Sequence, residues 1–293
     1  MTYLIRCIFS STGIFIVFKY LDKKNLPSFP VIIINYLVAS IMGFLINADQ
    51  VKVSDIFSAS WIPVSILIGF LFIVMFFVIA RSSNEAGISV TTVASKMSVV
   101  FPIAFSMMID PSDKLTLLKG AAVLATLTGV LLTVYEPGRS LQARKRKYLP
   151  LVLFIGMGLV DSLVKFAQHS YVSDRETALF SAALFAMAFL TGIVMLPFRK
   201  EGISEFKSAA VWRWGLLLGI VNFGSIYLMV SALNHVNEYG ARIDSSVIYG
   251  ANNIGIVSLS VLAGLFIFRE KLRRINWVGI AISAIAIVLF SIS

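Results

Sequence analysis

Ten long apolar segments follow one another along the chain, and short polar intervals separate them. Most of them contain close to the roughly 20 apolar residues that an α-helix needs to cross a bilayer. They lack the alternation of apolar and polar residues that marks the strands of a membrane barrel. The pattern therefore predicts ten transmembrane helices. Their predicted bounds are 3–21, 30–47, 61–80, 87–109, 115–135, 149–170, 177–198, 211–234, 243–268 and 276–292.

Short motifs recur at matching places in the two halves of the chain. One follows the third apolar segment of each half, one precedes the fifth, and one carries a lysine within the first. They are Asn-Glu-Ala-Gly at 84–87 and Asn-Glu-Tyr-Gly at 237–240, Asp-Lys-Leu at 113–115 and Glu-Lys-Leu at 270–272, and Phe-Lys-Tyr at 18–20 and Val-Lys-Phe at 164–166. In the two closing helices, Ala122 and Gly129 align with Gly279 and Ala286. The shared order of these matches predicts a duplicated five-helix unit.

The odd number of helices in each unit determines how the two copies are oriented. Because five is odd, the second copy enters the membrane from the side opposite to the first. The sequence therefore predicts an all-α membrane protein built from two inverted five-helix repeats, 1–137 and 149–293, joined by a basic linker at 138–148. Transporters built from inverted repeats place a substrate site near the midplane, between the repeats.

Composition supports a membrane protein and argues against other classes. The chain of 293 residues is 58% hydrophobic and only 14% charged, whereas soluble domains carry about 25% charged residues. Its net charge of +10 could suggest nucleic acid, but most basic residues lie in short linkers between apolar segments. The predicted partner is therefore the lipid bilayer and not nucleic acid. The single cysteine, Cys7, excludes an intrachain disulfide and a cysteine-rich metal site.

The basic linkers also predict the orientation of the helices. Of the 22 Lys and Arg residues outside the predicted membrane interior, 16 lie in the linkers that follow the odd-numbered helices. Because basic residues accumulate on the cytoplasmic side, these linkers are expected in the cytoplasm and both termini outside. The predicted location is the inner (plasma) membrane.

The end of the chain resembles a known transporter family. The stretch 227–290 contains YLMVSALNHVNEYGARI and FIFREKLRRINWVGIAISAIAIVLF, and it is similar to the drug/metabolite transporter superfamily, EamA-type. An Ala-Leu pair precedes the turn before the fourth helix of that half, and Glu-x-Leu precedes a closing helix with small residues seven apart. The first half departs from this pattern at Asp113 and Ala122. The resemblance implies ten helices, a central cavity between two pseudo-symmetric bundles, and alternating access.

Lys96 is the most informative polar residue within the apolar segments. The nearest charged residues in sequence are Glu85 and Asp110, roughly 16 and 21 Å away along a continuous helix. An ionisable group at a helix centre costs about 2.5–3.5 kcal/mol on insertion scales. Lys96 either faces a substrate or pairs with a buried carboxylate, and the substrate is favoured. The stretch around it also resembles the lysine-bearing fourth helix of nucleotide-sugar transporters, where the lysine faces the ligand.

A proline six residues after Lys96 predicts a distortion of the same helix. Pro102 has no N–H, so the carbonyl of Ser98 loses its usual partner and a kink is expected there. A weakened helix beside a charged side chain is a way in which transporters expose polar groups to a substrate.

Asp161 and Lys165 lie four residues apart in the sixth predicted helix. This spacing places them on one face in the order that favours an ion pair. Two interpretations stay open. Asp161 is a proton-coupling site with Lys165 as a second contact for the substrate, or the two form a structural pair with Lys165 extending toward the helix end.

The ninth predicted helix carries the remaining site candidates. The repeat places Tyr249 opposite Lys96, and Asn252 and Asn253 follow one turn later. Amides in hydrocarbon need partners, so these either bridge helices or bind ligand. Asp244, near the helix start, is a second proton-coupling candidate.

Taken with the resemblance, these residues predict a secondary transporter of a small polar metabolite, anionic or zwitterionic. With two histidines and one cysteine, no catalytic constellation is expected, nor a cofactor or metal. The predicted partners are a small-molecule substrate, the bilayer and a coupling proton. A lipid-linked carrier or flippase that recognises a phosphate headgroup is the alternative.

Overall fold

The computed structural model describes residues 2–46, 59–109, 116–135, 148–172, 176–198, 203–234 and 245–292. Within these ranges the regular structure is helical, and no strand is present. Two short 3₁₀ helices follow the helix Thr177–Met195. The α-helices are α1 Thr2–Lys23, α2 Ser28–Ile46, α3 Ile62–Glu85, α4 Ile88–Met97, α5 Val100–Ile109, α6 Leu117–Val134, α7 Tyr148–Ser170, α8 Thr177–Met195, α9 Ala209–Asn234, α10 Ser245–Phe266 and α11 Arg274–Ser291.

The prediction of ten membrane-spanning helices is confirmed in its coarse form. The described residues contain ten helical stretches that are long and apolar enough to cross a membrane, with α4 and α5 forming the fourth stretch. Their bounds agree with those predicted to within a few residues. Such a chain has the character of a multi-pass membrane protein. The predicted linker lies outside the described residues, except for Tyr148, where α7 begins.

The predicted kink in the fourth span is a complete interruption. Helix α4 ends at Met97, and α5 begins at Val100. The carbonyl of Ser98, which has no N–H to accept at Pro102, accepts from the N–H of Phe101 at 3.0 Å instead. This shorter-range bond tightens the chain into a turn. The break therefore follows from the missing donor of proline.

Both large cores draw on the two predicted repeats. One contains buried residues of α1, α2 and α3 together with Phe185, Leu218 and Ile256 of the second half. The other joins residues of α4 and α6 to Phe154 and Ile280. Both halves of the chain therefore contribute side chains to the same two hydrophobic cores.

The closing helices of the two halves, α6 and α11, pack against each other through small residues. A Cβ atom on Gly279 would lie 2.8 Å from the carbonyl oxygen of Gly129. The side-chain amide of Asn276 donates to the carbonyls of Thr133 at 2.8 Å and Tyr135 at 3.1 Å, so the first turn of α11 caps the end of α6. Small residues permit this backbone approach, as in other membrane helix pairs.

Candidate functional site

Lys96 occupies the last turn of α4, directly before the break in the fourth span. Its side chain is half-buried. The carbonyl groups at the end of a helix carry partial negative charge, which favours a cation near them. The break creates such a helix end inside the membrane-spanning region. Pro102 therefore does more than bend the helix, because it provides a favourable position for an ammonium group far from the membrane surface.

Asp161 of α7 faces the same break. Its carboxylate interacts electrostatically with the Lys96 ammonium and with the Ser98 hydroxyl. The Ser98 hydroxyl donates its proton to the carbonyl of Ser95 at 2.6 Å. Among the described residues, the ion pairs with N to O distances within 4.0 Å do not include Lys96 or Asp161. The two opposite charges therefore act on each other over more than 4.0 Å.

Tyr249 of α10 and Cys7 of α1 complete this group of residues. Tyr249 interacts electrostatically with Asp161, and it retains 48% exposure. The buried Cys7 thiol interacts electrostatically with Lys96 and donates to the carbonyl of Ser225 on α9 at 3.1 Å. We call Cys7, Lys96, Ser98, Asp161 and Tyr249 the central polar cluster. Both predicted repeats contribute to it.

The two asparagines of α10 have different surroundings. Asn252 is 6% exposed, and its side-chain oxygen has no hydrogen-bond partner. Asn253 is half-buried. A buried amide oxygen without a donor carries a desolvation cost, which a ligand N–H or a water molecule can offset. Asn252 therefore has an unused acceptor one turn beyond Tyr249.

Lys165 lies apart from the central polar cluster. Its side chain is exposed, and the ion pairs of the described residues do not include one between Asp161 and Lys165. The favourable four-residue spacing does not produce an ion pair here, and Asp161 interacts instead with Lys96 on α4 and with Ser98 in the break. Asp244, the other proton-coupling candidate, lies outside the described residues.

Four residues with side-chain hydroxyls lie near Lys96 in sequence, namely Thr91, Thr92, Ser95 and Ser98. The Thr91 hydroxyl shares a 2.7 Å hydrogen bond with Ser82 of α3. The hydroxyl of Thr92 is buried without a partner. Only Ser98 links this set directly to Asp161. Of the four hydroxyl residues near Lys96 in sequence, the one beside the break contributes to the cluster.

The sequence favours a Lys19 side chain that extends toward the end of α1, three residues from Asp22. Its ammonium group donates to the carbonyls of Ser83 at 2.9 Å and Asn84 at 3.3 Å, in the last turn of α3. It also lies 3.9 Å from the carboxylate of Glu270. A cation at these free carbonyls stabilises the end of α3. Sequence reasoning missed this role because the contacts are 64 and more residues away along the chain.

Cys7 and Ser98 were also not predicted as members of a site. In the sequence, Cys7 bore only on the question of disulfides and metal sites, and Ser98 only on the position of the kink. The sequence signal for Ser98 was its position four residues before Pro102, because proline has no N–H to donate to the Ser98 carbonyl. No pattern along α1 could have indicated that Cys7 faces α4. The described residues contain no group of three or more His, Cys, Asp or Glu suited to a metal ion.

Comparisons with known proteins support the fold without naming an activity. No family model matches the chain. An uncharacterized protein of Haemophilus influenzae is 26% identical over 290 residues, which cover 97% of this chain and 95% of that protein. A crystal structure of a protein matches 97% of both chains with a TM-score of 0.51 and 14% identity. At this identity the structural match shows a shared fold alone.

Proposed function

We propose that this protein is a secondary transporter with two inverted five-helix repeats, which moves a small zwitterionic metabolite across the inner membrane by alternating access. Lys96 and Asp161 carry this proposal, because they face one break from different helices without an ion pair. A carboxylate or phosphate of the substrate then meets Lys96, and an ammonium group meets Asp161. The similarity to the drug/metabolite transporters seen in the sequence supports the same function.

The free charges favour binding over a purely structural role. A structural lysine and aspartate within a membrane protein lower their cost most by pairing directly. Here the charges interact without an ion pair within 4.0 Å, and Tyr249, which interacts with Asp161, retains 48% exposure. A ligand with both charges supplies each group with its missing partner. The unused oxygen of Asn252 offers a further acceptor for a substrate N–H.

Ligand-dependent thermal stabilisation of the detergent-solubilised protein tests this proposal. The panel contains α-amino acids, dicarboxylates, polyamines and lipids with phosphate headgroups. We expect a zwitterionic α-amino acid to raise the unfolding temperature, because a ligand that binds only the folded state stabilises it. Polyamines and dicarboxylates each satisfy only one of the two charges, so their effect is expected to be smaller. Stabilisation by phosphate-headed lipids alone would overturn the proposal in favour of a lipid carrier.

A further inference from the structure

Glu270, in the turn between α10 and α11, caps the first turn of α4. One carboxylate oxygen accepts from the N–H of Ile88 at 2.6 Å. The other accepts from the Ser89 hydroxyl at 2.9 Å and the Ser89 N–H at 3.3 Å. Helix α4 has no side-chain cap from its own N-cap residue, Gly87. The free N–H groups at a helix start favour an anion, and here the other predicted repeat supplies it.

Two glycines shape the space around this carboxylate. A Cβ atom on Gly87 would lie 2.9 Å from the carboxyl carbon of Glu270, and one on Gly264 would lie 2.6 Å from a carboxylate oxygen. Gly87 also has a φ of +97°, which favours glycine. The turn is fixed by a 2.8 Å bond from the Glu270 N–H to the carbonyl of Gly264. The backbone at Gly87 and at Gly264 therefore lies too close to the Glu270 carboxylate for a larger side chain at either position.

Lys19 connects the contact between Glu270 and the start of α4 to two more helices, α1 and α3. Its ammonium group lies 3.9 Å from Glu270 and donates to the carbonyl groups at the end of α3. The side chains of Lys19 and Glu270 are 19% and 11% exposed. One cation and one carboxylate thus join α1, α3, α4 and the turn after α10. Such polar contacts at a partly hydrated site can separate with water replacing each partner.

Among the residues that the structure describes, the equivalent lysine, Lys165, forms no matching ion pair. The repeat aligns Lys19 with Lys165. Phe166, beside Lys165, packs on Phe105 of α5 with ring centroids 6.2 Å apart, so Lys165 lies beyond the break, away from Ile88. It is exposed and forms no ion pair within the described parts of the chain.

We propose that Glu270 and Lys19 form a latch that closes the Ile88 end of the central polar cluster and opens during the conformational cycle. Lys96 lies eight residues from Ile88 on α4, about 12 Å along the helix axis. Glu270 therefore holds the start of the helix that carries the binding lysine. This inference rests on the proposed transport cycle, since it assigns one end of that cycle to named residues.

Alkylation of a buried cysteine tests the latch without any substrate. In a Cys7→Ser background, Ser83→Cys places a thiol at a buried position beside Lys19. We expect slow reaction with a maleimide in detergent, because the latch covers this end. Adding Glu270→Gln is expected to raise the rate by about tenfold or more, the change that corresponds to losing a hydrogen bond to a charged group. Lys19→Met should act in the same direction.

Glu85→Gln is the matched control. Glu85 lies at the same end of α3 and accepts from Arg81 at 2.7 Å in an exposed pair within one helix. This variant loses a carboxylate near the junction but no contact between the repeats. Its alkylation rate should stay that of the parent. An unchanged rate in both Glu270→Gln and Lys19→Met would overturn the latch, as would an equal increase in Glu85→Gln.

A distance measurement keeps the proposal testable if the Glu270 variants do not fold. Spin labels at Asp22→Cys and Lys271→Cys occupy exposed positions on the two sides of an unaltered latch. We expect a short and a long distance population in the Cys7→Ser background, whereas a single narrow distance would overturn the proposal. These readouts need no substrate. A latch that opens in a protein lacking ligand stabilisation would therefore leave the latch standing while the proposed function fails.

Discussion

The Lys96 ammonium and the Asp161 carboxylate act on each other across the break in the fourth span without forming an ion pair. Their helices bring them together from positions 65 residues apart in sequence. A single ligand with an anion and a cation can satisfy both groups at once. Each of the two charges therefore gives a separable prediction.

Lys96→Gln is expected to weaken binding of the anionic group while leaving the fold intact. Glutamine keeps much of the length and the hydrogen bonding but removes the charge, so affinity should fall by about 1.5–3 kcal/mol. Titration of the solubilised protein with the stabilising ligand measures this loss. Lys165→Gln is the matched control, because Lys165 is exposed and lies outside the central polar cluster. Normal affinity in a well-folded Lys96→Gln protein would contradict the assigned role.

Asp161→Asn is expected to abolish substrate accumulation driven by a pH gradient, while counterflow exchange persists at substrate concentrations that offset the weaker binding of the substrate ammonium group. The amide retains the shape of the carboxyl group but cannot take up and release a coupling proton. Uptake of the labelled ligand into proteoliposomes, with and without a gradient, measures the difference. Asp22→Asn, at an exposed position near the end of α1, serves as the control. Gradient-driven uptake that persists in Asp161→Asn would remove this residue from proton coupling.

The distribution of basic residues predicts that both termini lie outside the cytoplasm. A reporter that is active only outside the cytoplasm should work when fused after Ser293. A cytoplasmic reporter should be inactive at that end and active in the linker at 138–148. The reverse result at the C-terminus would show that the positive charges do not set the orientation of this chain.

Gly279→Ala is expected to lower thermal stability. The added Cβ would meet the carbonyl of Gly129 at 2.8 Å, and overpacking of this kind costs about 1–3 kcal/mol. The matched control is Gly120→Ala, because a Cβ there meets nothing within 4 Å and alanine favours the helix. Unfolding temperatures of the two variants in the same detergent make the comparison. Equal stability of both variants would mean that α6 and α11 can move apart at Gly279 without a loss of stability.

Much of the architecture could be predicted from the sequence, because the signals are local. A span needs a run of apolar residues, and each run marks its own helix within a few residues. The break before Pro102 was equally predictable, since a missing N–H affects a carbonyl only four residues away. The deep placement of Lys96 followed from its distance to the next charged residues. These conclusions depend on neighbours in sequence.

Contacts between distant segments were decided by tertiary packing. The four-residue spacing of Asp161 and Lys165 left a structural pair open as one interpretation, but Asp161 interacts with Ser98 and Lys96. The Glu-Lys-Leu motif contributed to the prediction of a repeat, yet the role of Glu270 as the cap of α4 depends on a contact 182 residues away. The contacts of Lys19 with carbonyl groups on α3 likewise lie 64 and 65 residues away in sequence. Helix orientation and loop geometry determine such partners, because a buried charge is stabilised by groups near it in space.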